Sequence, residues 1–189
     1  MGRRVIHLPV ICALLSGLTA LTFWPVLHSD FVNFDDNSYV TQNPNVLGGL
    51  TAGSIAWAFK TAYFGNWHPI TWLSHMLDVE MFGLNSGCHH LTSLLLHICN
   101  TCLLFWFLSQ ATHRRWPSAF VAAFFAIHPL HVESVAWVSE RKDLLSTFFG
   151  LLSLLAYLQY VGRARCPHRT SQPISEAGAV GISRFTSEP

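Results

Sequence analysis

Four strongly apolar stretches of the chain that carry no Asp, Glu, Lys or Arg decide what the molecule can be. Residues 5–27 form a run of 23, residues 90–110 a run of 21, residues 116–132 a run of 17 and residues 144–162 a run of 19. A helix that crosses a bilayer needs about 20 apolar residues, whereas a barrel strand needs only about 10. Runs of this length therefore specify helices, whose backbone polar groups are satisfied internally in lipid. The composition agrees: 51% of the 189 residues are hydrophobic and 11% are charged. That charged fraction is less than half of the roughly 25% found in soluble domains. With a net charge of +1, binding of nucleic acid through a basic surface is excluded, as is a disordered chain. The expected fold class is an all-α integral membrane protein with four transmembrane helices, at about 5–27, 90–110, 116–132 and 144–162. The first run lacks a small-residue cleavage site and reads as an anchor, not a removed signal peptide. The third is the shortest; it has to start near Pro117 and end at His128-Pro129.

Orientation follows from the basic residues. Arg3 and Arg4 precede the first run, Arg114 and Arg115 separate the second from the third, and Arg163, Arg165 and Arg169 follow the fourth. The long loop at 28–89 instead carries Asp30, Asp35, Asp36, Asp78 and Glu80 against Lys60 alone. The positive-inside rule then places both termini in the cytoplasm and the loops at 28–89 and 128–143 outside. The cysteines form no disulfide framework, because Cys88 is the lone one on the outer side. Cys99 and Cys102 make a CxxC pattern on an apolar helix, which reads as small-residue helix packing, and His97 reads as a helix-packing hydrogen-bonder.

The first outer loop is too long for a simple connection. Residues 51–64 and 69–82 show helical periodicity and predict two amphipathic surface helices padding the outer face, with Trp57, Trp67 and Trp72 at headgroup level and His68 between them. Near its start stand Asp35 and Asp36, two adjacent carboxylates close to the bilayer surface. They are candidate proton acceptors, or else turn residues. The second outer loop concentrates His128, His131, Glu133, Glu140, Arg141, Lys142 and Asp143 within sixteen residues. Ionisable side chains at membrane depth are functional candidates. His128, His131 and Glu133 are metal-ligand types, but their HxxHxE spacing matches no standard site, which weighs against a divalent metal. Arg141 and Lys142 stand at the outer end of a span, against the orientation bias, which suggests an anion that holds them there. A pair of snorkelling cations is the structural alternative.

Several motifs, in order, resemble a known family: FVNFDDNSYVTQNPNV, GNWHPITWLSHMLD with MFGLNSG, HHLTSLLLHICNT and AFFAIHPLHVESVAWVSERKDLLS. Together they resemble the N-terminal part of bacterial multi-spanning membrane proteins with C-terminal tetratricopeptide repeats. Those proteins are related to the transmembrane and tetratricopeptide-repeat-containing O-mannosyltransferases of the GT-C superfold. The resemblance covers about residues 5–162. It implies a glycosyltransferase that takes a sugar from a polyprenyl-phosphate carrier and passes it to a protein acceptor hydroxyl outside the cytoplasm. It implies no cofactor, since the lipid-linked sugar is a substrate. It implies a multi-pass location in a bacterial inner membrane, or in the endoplasmic reticulum of a eukaryote. By this resemblance Asp35 and Asp36 match the catalytic acidic pair of the first outer loop, with Asp36 slightly favoured over Asp35 as the general base on the acceptor hydroxyl. Arg141 and Lys142 are expected to bind the donor phosphate, supported by His128, His131, Glu133, Glu140, Asp143 and His68. Such proteins have more spans and a repeat domain, whereas here no 34-residue repeat is visible. The tail at 163–189 is polar and rich in Gly, Pro and Ser, and is expected to be disordered. A fragment of the enzyme is therefore expected, with a non-catalytic membrane scaffold or an inactive truncated product as the alternative.

Overall fold

The computed structural model describes residues 3–164; residues 1–2 and 165–189 lie outside the described residues, and so does nearly all of the tail expected to be disordered. The described chain is helical, with no strand among the described residues. Helix α1 (Arg3–Phe23) continues into a 3-10 turn, Trp24–His28. Three short helices, α2 (Pro44–Leu47), α3 (Ala52–Lys60) and α4 (Pro69–Phe82), follow in the first outer loop. The long helices α5 (Ser86–Thr112) and α8 (Arg141–Ala164) are separated by α6 (Arg115–Ile127) and the short α7 (His131–Ala136).

Three helical segments are long and apolar enough to cross a membrane: Leu8–His28, Ser86–Thr112 and Val138–Gly162. The run at 116–132, expected as a fourth full span, is helical only as far as Ile127. Its 13 residues reach about 20 Å at 1.5 Å per residue, short of the roughly 30 Å hydrocarbon core. The cause is Pro129, which forces the residue before it out of the helical region; His128 has φ −65° and ψ 130°.

Helix α5 is the centre of the bundle and packs against α1, α6 and α8. Ile11, Leu15, Phe105 and Ala122 form one buried cluster at α1, α5 and α6. Phe23, Leu94, Val135 and Leu144 form a second, nearer the outer end. Polar ties supplement packing where no hydrophobic force acts between helices in lipid. The Asn100 side chain donates to the Leu144 carbonyl at 2.9 Å, His97 Nε2 meets the Ala126 carbonyl at 3.1 Å, and Cys102 Sγ lies 3.5 Å from Ser16 Oγ. Outward positions such as Leu14, Leu21, Phe120 and Phe124 remain exposed, as lipid-facing positions should. Gly87 fixes the outer closure. A Cβ there would sit 2.7 Å from the Leu27 carbonyl, so only glycine lets the start of α5 pass the end of α1.

The first outer loop does more than pad the bundle. Its helices enclose a core of their own: Tyr39, Val40, Val46, Ala58, Trp72 and Met76, closed by Val138 from the second outer loop. Trp72, expected at headgroup level, is fully buried in this cap, against the rings of Tyr39, Trp57 and His68. Trp67 is 65% exposed and only donates its ring N–H to the Phe59 carbonyl at 2.9 Å. Trp72→Ala should therefore destabilise the cap by about 3–5 kcal/mol, and Trp67→Ala by less than about 1 kcal/mol. Thermal unfolding of the two variants in detergent checks the contrast; equal losses would contradict the buried assignment of Trp72.

Candidate functional site

The two outer loops meet at Asp36. This carboxylate is fully buried; one oxygen accepts the Val32 N–H at 2.9 Å and the other accepts the Ser139 N–H at 2.8 Å. Amide donors on both oxygens hold the carboxylate at a fixed position. Asp36 thus stitches the first outer loop to the 3-10 turn Val138–Glu140, from which α8 departs. Its neighbour Asp35 is only partly buried. The two acids that look equivalent in sequence have different environments.

The same divergence separates Arg141 from Lys142. Arg141, expected to face a headgroup, points inward and is fully buried. Its Nη1 pairs with the Asp78 carboxylate at 2.6 Å, Nη2 donates to the His89 carbonyl at 2.8 Å, and Nε donates to Ser93 Oγ at 3.3 Å. Asp78 is held in turn by the Thr92 hydroxyl at 2.9 Å. Every arm of the fork is engaged within the protein. Lys142 turns outward instead: its Nζ pairs with Glu140 at 2.7 Å, with side chains 31% and 17% exposed, and sits 5.9 Å from the centre of the Tyr39 ring. Successive residues on a helix differ by about 100° around its axis, so burying Arg141 aims Lys142 elsewhere.

A group of polar side chains converges around Tyr39. His68 stacks on the Tyr39 ring at 5.7 Å with an interplanar angle of 6°. Burial raises the Tyr39 phenol above its ordinary value; Lys142 opposes that shift, while the Asp35 and Glu140 charges add to it. Burial likewise lowers the His68 imidazole, with Lys142 adding to the effect and Glu140 opposing it. His68 and Lys142 lie against the Tyr39 ring and Glu140 pairs with Lys142, so these four side chains cluster at the start of α8, with the Asp35 charge acting on Tyr39.

The remaining candidates lie apart from it. The His131 ring packs on Phe125 at 4.3 Å and on His97 at 5.2 Å, and His128 Nδ1 accepts the Leu130 N–H at 3.3 Å. Glu133 and Asp143 are exposed. Among the described residues, no group of three His, Cys, Asp or Glu side chains is arranged to hold a metal. Glu133 borders an apolar groove of about 360 Å³ between the two outer loops, lined also by Val32, Phe34, Val132, Ala136 and Trp137.

Comparison with known proteins identifies relatives of this arrangement. The chain is 32% identical over 157 residues to Mus musculus protein O-mannosyl-transferase TMTC1, 31% identical over 157 residues to the Homo sapiens protein of that name, and 29% identical over 158 residues to Drosophila melanogaster protein O-mannosyl-transferase Tmtc1. The chain is related to the TMTC protein O-mannosyl-transferases. The matches take in 77%, 77% and 78% of this chain but only 16%, 17% and 18% of those proteins, so the chain spans about a sixth of the length of these relatives. No protein-family model matches, and no solved structure does.

Sequence reasoning about this TMTC relative missed two residues of the site. Tyr39 stood within a recognised motif without a role, and Asp78 was counted only as a loop acid. The signal for Asp78 is its place among the buried positions of α4, with Thr71, Trp72, His75 and Met76, where an acid needs a cation. His75, on that same helix, is fully buried, and burial drives its imidazole well below the ordinary value of 6.5, reinforced by Arg141, His89 and His68. A neutral buried histidine favours the folded state fully above the unfolded value. That contribution falls as pH drops below about 6.5, because the unfolded chain then binds the proton first, at roughly 1.4 kcal/mol per pH unit. Detergent melting curves between pH 7.5 and 5.5 should show wild-type stability declining with acid and a shallower decline for His75→Leu.

Proposed function

We propose that the chain supplies the base-bearing and donor-binding region of a glycosyltransferase that moves a sugar from a polyprenyl-phosphate carrier to a protein hydroxyl outside the cytoplasm. The observation that carries this reading is the convergence of Asp35, Tyr39, His68, Glu140 and Lys142 at the junction of the outer loops. A partly exposed carboxylate and a partly exposed cation at the junction of the two loops suit a reaction with an acidic lipid and a neutral nucleophile. The relation to proteins named as protein O-mannosyl-transferases supports sugar transfer to protein.

In this mechanism Asp35 accepts the proton of the acceptor hydroxyl as its oxygen attacks the anomeric carbon. The bond from that carbon to the phosphate oxygen breaks, and the phosphate leaves with the electron pair, inverting the centre. A positioned base contributes about 10²–10⁴-fold in rate. Lys142 lies where it would meet the growing phosphate charge, which a preorganised cation stabilises. Asp36, with both oxygens occupied by amides, positions the turn that leads to Lys142. Arg141 supports the site from below through its pairing with Asp78 and leaves the phosphate contact to Lys142.

The topology in this reading is four crossings within a GT-C-type arrangement, with α6 as a short one. Ser118, near the start of α6, lies 3.3 Å from Thr112 at the end of α5, while Ala126 meets His97 midway along α5. Residues 128–140 then climb the remaining depth and reach the cap at Asp36. Helix α6 therefore carries the chain back toward the side from which α5 came.

Two experiments test these statements. In the full-length protein, Asp35→Asn should abolish transfer of labelled sugar from a polyprenyl phosphate to a Ser/Thr peptide while leaving the melting temperature in place. Asp36→Asn should instead lower thermal stability and expose the outer loops to protease; full turnover in Asp35→Asn would refute the base assignment. For topology, an impermeant maleimide applied to intact cells should label Cys88, at the outer end of α5. Labelling seen only after lysis would invert the orientation.

A further inference from the structure

Two ion pairs stand at the head of α8, and they differ in kind. Asp78 and Arg141 are sealed, with side-chain exposures of 4% and 0% and further hydrogen bonds to Thr92, His89 and Ser93. Glu140 and Lys142 are open, at 17% and 31%. We propose that Glu140 is a built-in competitor for the donor's phosphate: its carboxylate occupies the Lys142 ammonium when the site is empty and is displaced when an isoprenyl phosphate binds. This rests on the reading of Lys142 as the phosphate contact and adds an exchange step to it.

Three observations carry the proposal. First, the pair is short, at 2.7 Å, yet joins residues only two apart, one in the 3-10 turn Val138–Glu140 and one in the first turn of α8. The carboxylate can swing away without unwinding the helix. Second, the Asp36 and Asp78 carboxylates are already held by buried donors, whereas among the described residues Glu140 is held by Lys142 alone. Third, the lysine has a second fixed neighbour. Its ammonium lies 5.9 Å from the Tyr39 ring centre, on the ring that also stacks with His68. The cation therefore retains a neighbour when Glu140 leaves, and an ammonium with three N–H donors has more than the single Glu140 bond can use. Exchange of the carboxylate for the singly charged donor phosphodiester, or for the more highly charged monoester that leaves, releases Glu140 to water at the small cost of a screened surface pair.

The competitor role serves the membrane setting. Anionic phospholipid headgroups share the depth of this lysine, and an ammonium left bare would collect them. A tethered carboxylate is a weak occupant at high effective concentration. It yields to a phosphate that makes further contacts with the protein and resists a headgroup held by the cation alone.

The test uses the full-length protein in nanodiscs of uncharged lipid, titrated separately with farnesyl phosphate, farnesol and phosphatidylglycerol. Glu140→Gln should bind farnesyl phosphate about threefold to fivefold more tightly than wild type, the range expected for removal of one screened partner. It should leave farnesol binding unchanged and gain affinity for phosphatidylglycerol. Lys142→Gln should lose at least tenfold in farnesyl phosphate affinity, and Glu140→Gln/Lys142→Gln should match it. If Lys142→Gln weakens binding but Glu140→Gln leaves it unchanged or weakens it too, Glu140 positions the lysine and the competitor role is overturned. If Lys142→Gln binds farnesyl phosphate as well as wild type does, the phosphate reading itself fails. If wild type prefers phosphatidylglycerol to farnesyl phosphate, Lys142 is a headgroup anchor, and the proposal falls with it.

Discussion

The Arg141–Asp78 pair is the contact on which the outer half of this structure depends. A guanidinium with no exposed surface is tolerable only if its charge is matched and its donors are used, because burying an unpaired ion costs far more than a domain's net stability. Here Asp78 from α4 supplies the charge, and α5 supplies the His89 carbonyl and the Ser93 hydroxyl. The pair thereby joins the cap, the central helix and the last span at one point. Removing either partner would strand the other charge, at a cost of about 3–5 kcal/mol. The pair also sets the rotation of α8. With Arg141 turned inward, Lys142 can only turn out, over Tyr39.

Asp36 performs the complementary task on the backbone. Its two oxygens take one amide from its own loop and one from a residue 103 positions away. Closing a loop of that length is entropically costly, but the transmembrane helices have already met that cost by bringing α5, α6 and α8 together. The carboxylate needs only to fix the last few ångströms. This is why a cap with a modest core, Val40, Val46, Trp72, Met76 and Val138 among its members, can hold a defined geometry above a membrane bundle.

Much of this architecture was legible in the sequence, and the parts that were not share one cause. The runs without charge located α1, α5 and α8, because apolar length is a local property. The third run misled in length, since the break at Pro129 outweighs continued apolar composition. Periodicity found α3 and α4 but assigned Trp72 to the membrane surface; that side chain is buried by Tyr39 and Trp57, which periodicity within one helix cannot reveal. The motif residues were recognised as a set, yet their roles divided differently. Asp36 and Arg141 turned inward, and Asp35 and Lys142 stayed at the surface. Adjacent residues of the same type are indistinguishable by sequence, and what separates them here are contacts across 103 and 63 positions.

That division suggests how a short segment can be both rigid and responsive. Glu140, Arg141, Lys142 and Asp143 set two cations between two acids within four positions, which on an exposed surface would be a solvated charge cluster worth a few tenths of a kcal/mol per pair. Burying one member changes the energetics of its neighbours. Arg141, desolvated, cannot exchange partners on any reasonable timescale, because each broken contact leaves a charge in a low-dielectric interior. Glu140 and Lys142, still partly in water, exchange at the cost of a screened Coulomb attraction only. The sealed pair therefore keeps α8 in register, while Glu140 and Lys142 stay in contact with solvent, a separation that four identically solvated charges could not provide.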